Sequence, residues 1–181
     1  MRLFVAIDIS EELRKEFVPL IQLLSGYKGI KPVEPENLHI TLKFLGEVNE
    51  ARAELIRDRL RQIDFEPFEI EFRGIGYFPS QSYMRVVWVG VEGEGIYSLA
   101  EKVEREMRKL GFRKDKDFRA HLTVGRIKRI DSEARARLAR QLEDFSRDYG
   151  RMLVDRFKLK KSTLTPKGPI YEDVEVFGGK T

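Results

Sequence analysis

The stretch Asn37-Leu38-His39-Ile40-Thr41-Leu42 returns, 82 residues later, as Arg119-Ala120-His121-Leu122-Thr123-Val124. The two copies hold both histidines of the chain. In a strand, residues two apart share a face. His39 and Thr41 therefore point one way, and Ile40 and Leu42 the other. His121 and Thr123 share a face in the same manner, opposite Leu122 and Val124. Each copy reads as a sheet-anchored strand that buries its apolar side and presents one imidazole and one hydroxyl.

Around these strands the same order of elements occurs twice. Leu3 to Ile9 is an apolar strand. Ser10 caps a helix with Leu13, Phe17, Leu20, Ile21 and Leu24 on one face, and Gly26 stops it. A loop with Pro32 and Pro35 leads to a strand over 38–45. Asn49 caps the next helix, and Phe68 to Phe78 is a long strand that ends in a turn at Pro79-Ser80-Gln81-Ser82. The order then restarts with a strand over 84–91, a helix over 96–110 stopped by Gly111, and a strand over 118–127. A helix from Asp131 or Ser132 to about Phe145 follows, then strands over 152–164 and 170–177. This predicts an α+β fold in one bilobal domain spanning 1–181, with approximate repeats 1–80 and 83–177. Each pseudo-symmetric lobe is expected to be a β-sheet with helices on its outer face, the two lobes flanking a central groove.

Composition narrows the chemistry. The chain has 181 residues, 34 basic against 30 acidic, and a formal net charge of +4. At 41% hydrophobic it can bury a substantial core. It has no cysteine, which removes disulfides, thiolate metal sites and a cysteine nucleophile. The opening Met1 to Ser10 is interrupted by Asp8 and does not read as a signal peptide. The longest apolar run, Val86 to Val89, is far short of a membrane span. We expect a cytoplasmic protein with no membrane partner. No apolar surface stripe points to a dimer, so a monomer is expected.

Two imidazoles on equivalent strands suit concerted displacement at phosphorus. Near neutrality one can take a proton from the nucleophile while the other gives one to the leaving oxygen. The hydroxyls of Thr41 and Thr123 can donate to the non-bridging oxygens, where charge builds in the transition state. Two distant histidines and no cysteine do not make an ordinary zinc site. No clustered carboxylates suggest a magnesium site, and no P-loop is present. No cofactor or metal is expected.

Lys43 has the parity of His39 and Thr41 and is a candidate phosphate ligand. Arg126 follows Gly125, where a bulge would redirect it inward, and its forked guanidinium suits phosphate. Phe44 is a candidate for stacking on a base or ribose. The segment Gly111-Phe112-Arg113-Lys114-Asp115-Lys116-Asp117-Phe118-Arg119 could track an RNA backbone, or be a solvated loop. Trp88 reads as core. Lys160-Lys161 reads as a basic rim or as charge that keeps a strand soluble.

These features resemble the 2H phosphoesterase superfamily, and within it the RNA 2′,3′-cyclic phosphodiesterases, also called 2′-5′ RNA ligases. The resemblance runs over nearly the whole chain. It rests on both histidine motifs with their flanks, 37–47 and 119–126. Further matches are Arg2-Leu3-Phe4-Val5-Ala6-Ile7, Phe78-Pro79, Val87-Trp88-Val89-Gly90, Ser162-Thr163-Leu164 and Gly168-Pro169-Ile170-Tyr171. It implies that His39 is the proton donor and His121 the proton acceptor, an assignment that the nearly symmetric spacing alone does not give. The implied substrate is RNA ending in a 2′,3′-cyclic phosphate, tRNA fragments included, opened by water to a 2′-phosphate. Attack by an RNA 5′-hydroxyl instead would make a 2′-5′ linkage. The reading from a different class is an RNA-end-binding module without turnover.

Overall fold

Two residues after the first strand, Ser10 begins the first helix: its hydroxyl accepts a hydrogen bond from the Leu13 amide. A computed structural model describes residues 1–81, 83–115 and 117–178. Its strands are β1 (Arg2–Asp8), β2 (Ile30–Pro32), β3 (His39–Glu47), β4 (Phe68–Pro79), β5 (Met84–Glu92), β6 (His121–Ile127), β7 (Asp148–Val154), β8 (Arg156–Thr165) and β9 (Gly168–Gly178). Its α-helices are α1 (Glu11–Arg14), α2 (Val18–Ser25), α3 (Glu50–Arg61), α4 (Glu94–Arg108) and α5 (Ser132–Glu143).

The expected α+β architecture with two sheets is present, and every strand pairing is antiparallel. One sheet has the order β3-β1-β8-β9, the other β2-β6-β5-β4-β7. Neither sheet comes from one contiguous half. β4 leaves the first half to pair with β5 and β7, and β8 and β9 return from the second half to extend β1. Helices cross as well: α2 packs on β2 and β6, while α4 packs on both β3 and β4. A single apolar core results. Ile40 and Leu42 from β3, Leu122 and Val124 from β6, and Phe72, Val87 and Val103 all belong to it.

Local chemistry explains where the elements differ from expectation. The first helix is broken into α1, a 3-10 turn over Lys15–Phe17, and α2. Pro19, in the first turn of α2, has no amide to bond back to Lys15. The strand expected over 152–164 is two strands, since β7 ends at Val154 and β8 starts at Arg156. The strand expected from Phe118 begins only at His121, since residues 117–120 pair with no strand. Short β2 went unread beside its prolines, yet Pro32 lies opposite Gly125 at the sheet edge. Gly111 does stop α4, with φ of 90°. Ser82 of the expected turn lies outside the described residues. Among those residues, no helix is long and apolar enough to cross a membrane.

Candidate active site

The two histidine strands approach each other between the sheets. His39, Thr41, His121 and Thr123 line one cleft of about 750 Å³. Lys43, Phe44 and Arg126 line it too. All seven residues singled out from the sequence therefore border one cleft.

The histidines are held alike. Nδ1 of His39 donates to the Asn37 carbonyl at 2.7 Å, and Nδ1 of His121 donates to the Arg119 carbonyl at 2.7 Å. A carbonyl only accepts, so Nδ1 carries the hydrogen in each ring. Nε2 is left as the nitrogen that can exchange a proton in the cleft. Aromatic rings flank both imidazoles. Phe4 and Tyr171 lie 5.2 and 5.3 Å from the His39 ring. Phe78 and Trp88 lie 5.4 and 6.1 Å from the His121 ring. Trp88, read as core from the sequence, thus supports a histidine. It lies flat over Gly76, where an added Cβ would sit 2.0 Å from the indole ring.

Two bulges at matching positions decide what else faces the cleft. On β6, Thr123 pairs with Trp88 and Gly125 with Val87, passing over Val124. The irregularity places Arg126, opposite Val86, on the face of His121 and Thr123. On β3, Thr41 pairs with Ala6 and Lys43 with Val5, passing over Leu42. Strict alternation put Lys43 beside His39 and Thr41; the bulge gives that face to Phe44 instead. Phe44 is 66% exposed at the cleft rim. Lys43 is only 3% exposed. Its ammonium lies 3.0 Å from carboxylate oxygens of both Glu104 and Asp115, and donates to the Arg113 carbonyl at 3.0 Å. With its donors so engaged, Lys43 ties the 113–119 loop to β3. That loop lines the cleft with Lys114, Asp115, Asp117, Phe118 and Arg119. Tyr97 holds its far end, accepting from the Ala120 amide at 3.3 Å and packing against Phe118. Lys116 lies outside the described residues.

A closed set of four charges adjoins His39. Lys158 and Lys160 each bridge Asp8 and Asp173 at 2.7–2.9 Å. Asp8 pairs with His39 across β1 and β3. Lys160, read from the sequence as a basic rim or as charge that keeps a strand soluble, is instead buried. Burial alone would raise the Asp8 pKa, but the hydrogen bonds and charges of Lys158 and Lys160 outweigh it and hold Asp8 below the usual carboxylate value. For His39, burial is the largest influence and pushes the imidazole toward its neutral form. The charges of Lys160 and Arg126 add to that, and the Asn37 carbonyl and Asp8 oppose it. Phe78 and Tyr171 belong to stretches that match the family but have no role readable from the sequence, and Tyr97 and Glu104 carry no local signal of where the fold brings them.

The profile of LigT-like phosphoesterases matches the chain twice in tandem, over residues 7–88 and 89–171, one histidine motif in each match. The chain belongs to the LigT-like phosphoesterase family. Relatives named RNA 2′,3′-cyclic phosphodiesterase include one from Archaeoglobus fulgidus, 52% identical over 98% of this chain and 99% of its own. Another, from Methanothermobacter thermautotrophicus, is 45% identical over 98% of both chains. The crystal structure of a Thermus thermophilus protein superposes with a TM-score of 0.84 at 32% identity, covering 98% of this chain and 97% of that one. The LigT-like fold, with its two lobes about a cleft, thus accounts for the whole described chain.

Proposed function

We propose that this LigT-like chain hydrolyses RNA 2′,3′-cyclic phosphate ends to 2′-phosphomonoesters without a metal ion, His39 acting as proton donor and His121 as proton acceptor. The observation that carries the reading is the matched pinning of two imidazoles through Nδ1, both with Nε2 available to one cleft. The names of the curated relatives support the substrate class.

In this scheme Nε2 of His121 takes a proton from water as the water oxygen bonds to phosphorus. The P–O3′ bond breaks, and the Nε2 proton of His39 passes to O3′. Thr41, Thr123 and Arg126 donate to the non-bridging oxygens, where negative charge grows. The free protein favours neutral His39. A bound phosphate brings the negative charge that offsets Lys160 and Arg126, so the donor gains its proton together with its substrate. Phe44, exposed beside the cleft, stacks on the terminal base or ribose.

The test is turnover of an oligonucleotide with a cyclic-phosphate end. His39→Ala and His121→Ala should each lower kcat about 10²–10⁴-fold. Undiminished turnover in both would refute the scheme, as would activity lost in EDTA and restored by Mg²⁺. Mapping products with a 5′-hydroxyl RNA present separates hydrolysis from formation of a 2′-5′ linkage. Tight RNA-end binding with no turnover in the parent would mark a binding module.

A further inference from the structure

The net charge of the chain is concentrated in one short segment. Between Arg126 and Arg140 there are six basic and two acidic residues, a net +4, equal to that of all 181 residues. The remaining 166 residues are balanced, with 28 of each sign. Elsewhere the charges cancel in number, and Arg57, Arg61, Arg73, Arg151, Lys158 and Lys160 are among the cations that sit in ion pairs. Among the described residues, none of the six cations between 126 and 140 has a carboxylate within ion-pair distance. One of the two acids is otherwise engaged, since Asp131 caps α5 by accepting from the Ala134 amide at 2.7 Å.

The segment is continuous with the cleft. Arg126 lines it. Lys128 and Arg129 follow at once, their amides both donating to the Gly29 carbonyl. α5 then carries the cations outward while Leu138, Ala139 and Leu142 bury its other side. Lys128, Arg129, Arg137 and Arg140 are exposed. A surface of unmatched cations leading from a phosphate-handling cleft fits a polyanion whose end lies in that cleft.

We propose that the strip formed by Lys128, Arg129, Arg135 and Arg140 binds the RNA strand on the upstream side of the terminal cyclic phosphate. This rests on the RNA-end reading above. The strip engages backbone phosphates, not bases, so it gives length preference and salt sensitivity without sequence preference.

The experiment compares the parent with a variant carrying Gln at Lys128, Arg129, Arg135 and Arg140. A control variant carries Gln at Arg61, Arg73, Arg151 and Arg156, losing the same charge from ion-paired positions. Each is assayed on a 2′,3′-cyclic mononucleotide and on a long single-stranded RNA with the same end, and RNA binding is titrated against salt. The strip variant should keep mononucleotide turnover, which also verifies its folding. It should lose about tenfold or more in RNA affinity and in kcat/KM on RNA, and its salt slope should fall by about 0.7 for each phosphate no longer neutralised. The control should behave like the parent on RNA. Parent-like RNA affinity and slope in the strip variant would overturn the proposal, as would equal losses in the control. Parent binding to anionic lipid vesicles but not to RNA would overturn it too. A parent that binds RNA through the strip yet turns over neither substrate would refute the hydrolysis reading and leave the strip standing.

Discussion

Phe44 and Arg126 occupy equivalent places on the two histidine strands. Each is the fifth residue after its histidine, and each reaches the cleft face because a bulged residue, Leu42 or Val124, breaks the alternation before it. The duplicated frame thus offers an aromatic ring from one lobe and a guanidinium from the other. One suits a base or ribose, the other a phosphate. Phe44→Ala should raise KM for cyclic-phosphate RNA by about 5–100-fold, the range for removing one stacked ring, with kcat little changed. Arg126→Ala should lower kcat. Steady-state kinetics on the two variants checks the division.

Lys43 predicts a different signature. Lys43→Met keeps the bulk of the side chain but leaves Glu104 and Asp115 without their shared cation. Breaking a buried pair from one side costs about 3–5 kcal/mol, and here less, because Asp115 is well exposed. We expect a drop in stability of about 1–3 kcal/mol, with faster amide exchange in the 113–119 loop. KM should rise more than kcat falls. Denaturant melts and exchange mass spectrometry read both effects.

The positions of Lys43 and Phe44 also mark the limit of what could be read from sequence. Alternation placed His39, Thr41, His121 and Thr123 correctly, because nothing interrupts the strands between those residues. A bulge was foreseen near Gly125 but not at Leu42, where no glycine signals it, and so Lys43 and Phe44 exchanged faces. Strands were legible from their apolar runs. Their exchange between sheets was not, since pairing partners such as β1 and β8 lie far apart in the chain and no local pattern records the choice. The flanking rings of Phe4, Tyr171, Phe78 and Trp88 were hidden for the same reason.

Stability should fall with acid in two separate windows. The His39 pKa is lowered on folding from its ordinary value near 6.5, so the unfolded chain takes up the proton more readily. Its contribution is complete above that value and is lost as pH drops below about 6.5. Asp8 and Asp173 are held below the usual carboxylate value of 3.8, so their contribution is present above it and disappears as pH falls further. His39→Gln should remove the first decline and leave the second. Urea melts across pH 3–8 check this, and inorganic phosphate should move the histidine's NMR titration upward.

Asp8 should act on the reaction through His39. Asp8→Asn removes one negative charge next to Lys160 and opposite His39, which lowers the imidazole pKa further. The expected result is reduced kcat at neutral pH with partial recovery at lower pH, a displaced profile rather than a uniformly lower one. Asp8→Glu should restore part of the neutral-pH rate. A profile lowered equally at all pH values would mean that Asp8 serves stability alone.

Because β4 completes the second sheet and β8 and β9 complete the first, the polypeptide laces the lobes together at several crossings. No hinge can open the molecule between its halves without tearing strands from both sheets. The two imidazoles stand on β3 and β6, one in each sheet, so the gap between them is set by how the two sheets pack on their shared core.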